Sequence, residues 1–114
     1  MSELAVSTNQ YRRCDLISLN GRVDSDTAGQ LREAFEAITE AGRFKIVLNL
    51  AGVPFMSSAG FRVLIETIKI CKRFNRGNLI LAEVPDPIQN ALQLAGLDAI
   101  FTTFAKEVEA VASF

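Results

Sequence analysis

The strongest constraint on the fold is an alternation of short apolar runs, dense enough to be buried strands, with stretches whose apolar residues recur every three or four positions. Residues 44–50 hold Ile46, Val47, Leu48 and Leu50, and residues 78–82 hold Leu79-Ile80-Leu81. Between them, residues 58–74 place Phe61, Leu64, Ile65, Ile68 and Cys71 on one side of a helix. Arg62, Glu66, Lys69 and Arg73 lie opposite, at the spacings where helix neighbours pair. Strand, helix, strand in this order implies a crossover and a parallel pairing.

The flanking sequence extends the pattern. Residues 4–8 and 14–23 read as strands, joined through the polar residues 9–13 as in a hairpin. Residues 24–41 read as a helix with Ala28, Leu31, Phe35 and Ile38 on its apolar side. Asp24 or Ser25 is its expected cap, Asp26 suits its positive end, and Gly42 is a left-handed stop. Gly77 ends the second helix. Pro85-Asp86-Pro87 opens a third, with Ile88, Ala91, Leu92 and Ala95 at helical spacing and a stop at Gly96. Ile100-Phe101 reads as a short edge strand and residues 104–114 as a final helix. The expected fold class is α/β, a mixed sheet of four or five strands covered mainly by four helices.

The chain has 114 residues, the size of one domain, and no repeat or linker divides residues 1–114. No apolar run approaches the roughly 18 residues of a membrane span. The opening MSELAVSTNQ lacks the basic-then-apolar order of a secretory leader, so the expected location is the cytoplasm. Twelve basic residues against 13 acidic ones, without a basic stripe, argue against direct nucleic-acid binding. Histidine is absent, which removes the usual metal ligand and the commonest general base. Cys14 and Cys71 have no metal-ligand spacing and are expected as buried small apolar side chains. There is no Walker motif or GxGxxG loop. No cofactor, no metal and no enzymatic activity are therefore expected. The remaining catalytic reading is a small hydrolase or transferase built on Asp24, Asp26 and Ser58. A nucleotide- or lipid-binding module rests on fold analogy alone.

The informative segment is Gly52-Val53-Pro54-Phe55-Met56-Ser57-Ser58-Ala59-Gly60-Phe61, between the third strand and the second helix. Taken alone, Ser57 reads as a cap accepting hydrogen bonds from free helix amides, and Gly60 as a point of close packing. Its surroundings add more. Gly21-Arg22-Val23-Asp24, then Ile46-Val47-Leu48-Asn49-Leu50-Ala51-Gly52-Val53, then Phe55 through Leu64, with Ala95-Gly96-Leu97 and Phe101 beyond, resemble the STAS family. The resemblance runs over essentially the whole chain. That fold is shared by bacterial anti-sigma-factor antagonists and the cytoplasmic parts of some anion transporters.

In the antagonists the loop typically reads Asp-Ser-Ser/Thr-Gly-Leu, and a partner kinase phosphorylates the first Ser. Aligned on Gly60, the resemblance implies that Ser58 is the phosphoacceptor. Ser57 then stands where Asp is usual, Ala59 where the second Ser or Thr is usual, and Phe61 where Leu is usual. Asn49 falls where an Asp is common. Asp24 matches the acid of the family's Gly-x-x-Asp segment and is implied to lie beside the loop. Asp24, Ser57, Ala59, Gly60 and Phe61 form the implied partner-recognition set.

The function implied is anti-sigma-factor antagonism by partner switching: docking on an anti-sigma factor that is also a serine kinase, and release on phosphorylation. A serine phosphatase is a further implied partner, and the chain is expected as a monomer or weak dimer away from membranes. The alternative is a STAS scaffold or sensor-complex subunit that is not phosphorylated and binds its partner constitutively, which the missing loop Asp favours. Val63, Ile70 and Phe74, beside Thr67, extend the expected docking surface unless a neighbouring helix covers them.

Overall fold

The computed structural model describes residues 4–74 and 76–114, so the reading of residues 1–3 as part of a non-leader start lies outside it. The elements in chain order are β1 (Ala5–Gln10), β2 (Asp15–Asn20), α1 (Ala28–Thr39), β3 (Lys45–Gly52), α2 (Ser58–Arg73), β4 (Asn78–Ala82), α3 (Asp86–Leu94), β5 (Thr103–Phe104) and α4 (Glu107–Ala112). The strands form one sheet in the order β1-β2-β3-β4-β5. β1 runs antiparallel to β2, with Ala5 opposite Asn20 and Gln10 opposite Asp15. The other pairings are parallel, with Ile17 beside Leu48, Leu48 beside Leu81, and Leu81 beside Thr103. The sheet is therefore mixed and the fold α/β, as the alternation of runs predicts.

Strand alternation sends side chains to two cores. Ile17, Leu19, Ile46, Leu48, Leu50, Leu79 and Leu81 point to the face covered by Leu31 and Phe35 of α1, Leu64 and Ile68 of α2, and Ile88 and Leu92 of α3. Leu16, Val47, Ile80 and Ala82 point to the other face, where Ala110 of α4, Phe104 and Phe114 cover them. Because β3 and β4 are covered on both sides, they carry the near-continuous apolar runs seen in the sequence. At the start of β2, the nearly buried carboxylate of Asp15 is paired by the Arg43 guanidinium. Arg43 also donates to the Tyr11 carbonyl at 2.6 Å, pinning the hairpin to the turn after α1.

Several boundaries differ from the sequence reading. β1 continues to Gln10, and the hairpin closes within residues 11–14, where the Tyr11 amide donates to the Cys14 carbonyl at 2.8 Å. Residues 24–27 form a turn, so α1 begins at Ala28. The edge strand is Thr103–Phe104, not Ile100-Phe101, because Phe101 is drawn into the main core while the Thr102 and Phe104 carbonyls accept the Leu81 and Glu83 amides. With Phe104 in that strand, α4 shortens to Glu107–Ala112.

Two of the three glycine stops, Gly42 and Gly96, behave as the sequence predicts, and Gly77 does not. Gly42 (φ 83°) and Gly96 (φ 73°) are both left-handed. After α3 the Leu97 amide donates to the Leu92 carbonyl (2.8 Å) and the Gly96 amide to the Gln93 carbonyl (3.1 Å), a Schellman ending. Beyond α2 the left-handed residue is Arg76 (φ 54°) rather than Gly77. Among the described residues, no helix is long and apolar enough to cross a membrane.

Candidate functional site

The loops after β2 and β3 leave the same end of the sheet and continue side by side. The Gly21 amide donates to the Gly52 carbonyl at 3.0 Å. Further out, the Val23 amide donates to the Phe55 carbonyl (3.0 Å) and the Ser57 amide to the Val23 carbonyl (2.8 Å). Val23 and Met56 thus form an isolated parallel bridge, and both side chains are buried. This bridge brings the Gly21-Arg22-Val23-Asp24 segment against the serine loop, so residues over thirty positions apart in sequence share one site. Gly60, in the first turn of α2, lies on top of the bridge. A Cβ there would sit 2.6 Å from Met56 Cγ and 2.7 Å from Val23 Cγ1.

The two serines differ in kind. Ser57 precedes α2 with extended backbone, and its carbonyl accepts the Gly60 amide at 3.0 Å and the Phe61 amide at 3.2 Å. Its hydroxyl makes no cap; the oxygen is enclosed and has no partner among the described residues. The expected side-chain cap is therefore absent, and the carbonyl of Ser57, not its Oγ, starts the helix. Ser58 is the first residue of α2 and is exposed. Ala59 and Phe61 are half-buried, and Gly60 is buried.

Asp24 shapes the start of α1. Its Oδ1 accepts the Asp26 amide at 3.0 Å and the Thr27 amide at 3.2 Å, while the Thr27 hydroxyl lies 2.9 Å from the Arg22 carbonyl. Burial alone would push the Asp24 carboxyl up. The two amides, the Thr27 hydroxyl and the Arg22 guanidinium outweigh it, so the carboxyl sits below its ordinary value. Ser25 plays no capping part, since Asp24 makes these bonds. The Arg22 guanidinium stacks over the Phe55 ring at 4.5 Å, a cation–π contact at the outer edge of the loop.

Of the wider surface expected on α2, Val63 and Thr67 are buried, whereas Ile70 and Phe74 stay exposed. Residues of α1 stand beside that side of α2: Arg32, Phe35, Glu36 and Thr39 line a small crevice with Val63, Thr67 and Ile70. Phe74 stacks on Phe44, with ring centroids 4.9 Å apart. A feature missed by the helical-stripe reading lies on the other flank. Phe61 and Ile65 are only half-buried and line a groove of about 500 Å³ with Ser58, Arg62, Glu66, Lys69, Ala95 and Leu97. The Schellman turn at Gly96 places Leu97 there. The stop signal was legible in sequence, but the docking of that turn against α2 was not. Asn49, at the position where the family often has Asp, donates to the Glu107 carboxylate at 2.7 Å and holds α4 to β3.

The STAS domain family pattern matches residues 5–110. An anti-sigma F factor antagonist of Paenibacillus polymyxa is 28% identical over 109 residues, covering 95% of this chain and 92% of its own. The crystal structure of an anti-sigma factor antagonist from Mycobacterium paratuberculosis superposes with a TM-score of 0.86 at 21% identity, over 97% of this chain and 93% of that one. The Bacillus cell fate determinant SpoIIAA, solved in its phosphorylated form, gives a TM-score of 0.75 at 23% identity over 96% of this chain and 98% of its own. These structural likenesses concern the fold. With the family pattern spanning nearly its full length, the chain belongs to the STAS domain family.

Proposed function

We propose that this chain is a cytoplasmic, non-enzymatic anti-sigma-factor antagonist, acting as one domain, whose docking is switched by phosphorylation of Ser58. The observation that carries the reading is the contrast between the serines: the Ser58 side chain is exposed at the first position of α2, while the Ser57 oxygen is enclosed. A kinase can reach only the former without opening the loop. The name of the Paenibacillus relative supports antagonism, and the phosphorylated SpoIIAA structure supports a modified state of this fold.

The first turn of a helix suits a phosphate because free amides and the positive dipole end face it. Phosphorylation adds roughly −1.5 to −2 charge at a neutral loop. Reversing a bound population from 99:1 to 1:99 needs a differential of about 5.5 kcal/mol. An uncompensated charge enclosed in an interface costs 2–5 kcal/mol or more, about the required size. Asp24, Ser57, Ala59, Gly60 and Phe61 are the proposed recognition set, because the Val23–Met56 bridge and the Gly60 contact bring them together. The partner is an anti-sigma factor that is also the serine kinase; a phosphatase restores the docking form.

The test is phosphosite mapping after incubation with ATP and lysate of the source organism. Phosphate on Ser58, absent in Ser58→Ala, supports the switch, as does partner binding retained by Ser58→Ala and weakened by Ser58→Asp. No modification, in a lysate that phosphorylates a control antagonist, moves the reading to a constitutive scaffold.

A further inference from the structure

The groove beside Ser58 has an apolar floor and a rim whose charges do not cancel. Phe61, Ile65, Ala95 and Leu97 form the floor. Arg62, Glu66 and Lys69 form the rim on α2, and their spacing in sequence predicts pairing along the helix. Glu66 instead bonds across to Arg32 of α1, with Oε1 3.0 Å from the guanidinium. Among the described residues, neither Arg62 nor Lys69 has an ionic partner. The groove thus presents two uncompensated cations over exposed apolar surface, and Ser58 stands at its end, one turn before Arg62.

We propose that this groove takes an acidic amphipathic helix of the partner, with its leucine-type side chains over Phe61, Ile65 and Leu97 and its carboxylates facing Arg62 and Lys69. The proposal rests on the antagonist reading and deepens it, because it gives the phosphate a local target. A phosphate on Ser58 would stand four residues from Arg62 on the same side of α2, compete for its guanidinium and repel the incoming carboxylates. A helix laid in a groove anchors through side chains three and four residues apart. The floor residues Phe61 and Ile65 lie one turn apart along α2 and offer such anchors an apolar seat.

The experiment needs no kinase and no identified partner. A 14-residue synthetic peptide with leucine at every third or fourth position and glutamate between is titrated into the ¹⁵N-labelled full chain, and its lysine counterpart serves as control. The glutamate peptide is expected to shift the amides of residues 58–69 and 95–97 and to bind at least tenfold tighter than the lysine peptide. The preference should shrink with added salt, since exposed charges are screened. Arg62→Glu with Lys69→Glu should reverse the order of the two peptides, and Ser58→Asp should weaken the glutamate peptide severalfold. Equal affinity for both peptides, shifts confined to another face, or no saturable binding would overturn the proposal. Concentration-dependent shifts of the same amides without peptide would overturn it too, by assigning the groove to a second copy of the chain. Ser58 phosphorylation with an indifferent groove would leave the switch standing and remove only this inference. Peptide binding with an unmodified Ser58 would do the reverse.

Discussion

Gly60→Ala is the sharpest test of how the serine loop is built. The added methyl would sit 2.6 Å from Met56 Cγ and 2.7 Å from Val23 Cγ1, well inside ordinary contact. Met56 is flexible and can swing away. Val23 cannot, because it is fully buried, β-branched, and held by backbone bonds of 3.0 Å to Phe55 and 2.8 Å to Ser57. Overpacking of this kind costs about 1–3 kcal/mol. Against it stands a gain of about 0.5–1 kcal/mol from replacing a helical glycine. The net expectation is a loss of up to about 2.5 kcal/mol, equivalent to roughly 10 °C in Tm at most for a chain of this size. Gly29, in the first turn of α1, supplies the control, since among the described residues nothing beyond its own helix lies within 4 Å of a Cβ built there. Gly29→Ala should raise the urea midpoint, by up to about 1 kcal/mol of stability. By urea and thermal unfolding, Gly60→Ala should therefore be the less stable of the two variants. A Gly60→Ala protein as stable as Gly29→Ala would refute the close approach of α2 to the Val23–Met56 bridge.

Other perturbations test neighbouring parts of the structure. Ser57→Ala should leave the urea midpoint unchanged or raise it, because the hydroxyl has no partner among the described residues to lose; a loss on the order of 1 kcal/mol would instead restore the side-chain cap. Asn49→Asp removes the donor 2.7 Å from Glu107 and sets two carboxylates together, which should cost about 1–2 kcal/mol at pH 7. Burial lifts the Cys71 thiol to about 11, so in the native protein it should resist iodoacetamide at pH 8 and react promptly in urea. The Asp24 carboxyl titrates below its unfolded value, so its stabilisation is complete above about pH 3.9 and is lost as pH falls through the folded value. Asp24→Asn should remove that segment of the acid-unfolding curve; an unchanged curve between pH 2 and 4 would contradict it.

Most of the fold was legible because its signals are local. The runs at Ile46 and Leu79 and the helical spacing of Leu31, Phe35 and Ile38 needed no knowledge of distant contacts. The glycine stops at Gly42 and Gly96 are local as well. The errors fall where tertiary contact overrides local preference. Phe101 looks like a strand residue but is taken into the main core, so the edge strand forms two residues later. Asp24 looks like an immediate helix cap, yet its carboxylate builds a turn through the Asp26 and Thr27 amides before α1 begins. Glu66 looks like a partner for its own helix and is claimed by Arg32 across the helix pair. No spacing rule within α2 can reveal that claim, and it is what leaves Arg62 and Lys69 open. The candidate site was proposed from a set of motifs, whereas the different environments of Ser57 and Ser58 emerge only from the folded structure.

Those environments give the departure at Ser57 a physical sense. The oxygen of Ser57 occupies an enclosed position without a partner among the described residues, where a carboxylate in the same place would be a buried, unpaired charge. Serine keeps this position neutral. Under the switch reading, the loop then contributes no side-chain charge between Pro54 and Phe61 until Ser58 is modified. The whole electrostatic change at the end of the groove comes from the phosphate, about −1.5 to −2. Arg62 stands one turn away with no ionic partner among the described residues, so it meets either a partner carboxylate or that phosphate. A family-type Asp at position 57 would place a standing negative charge beside this choice and reduce the contrast between the two states. The neutral loop therefore serves a switch better than its missing acid suggests, provided that Ser58 is the residue modified.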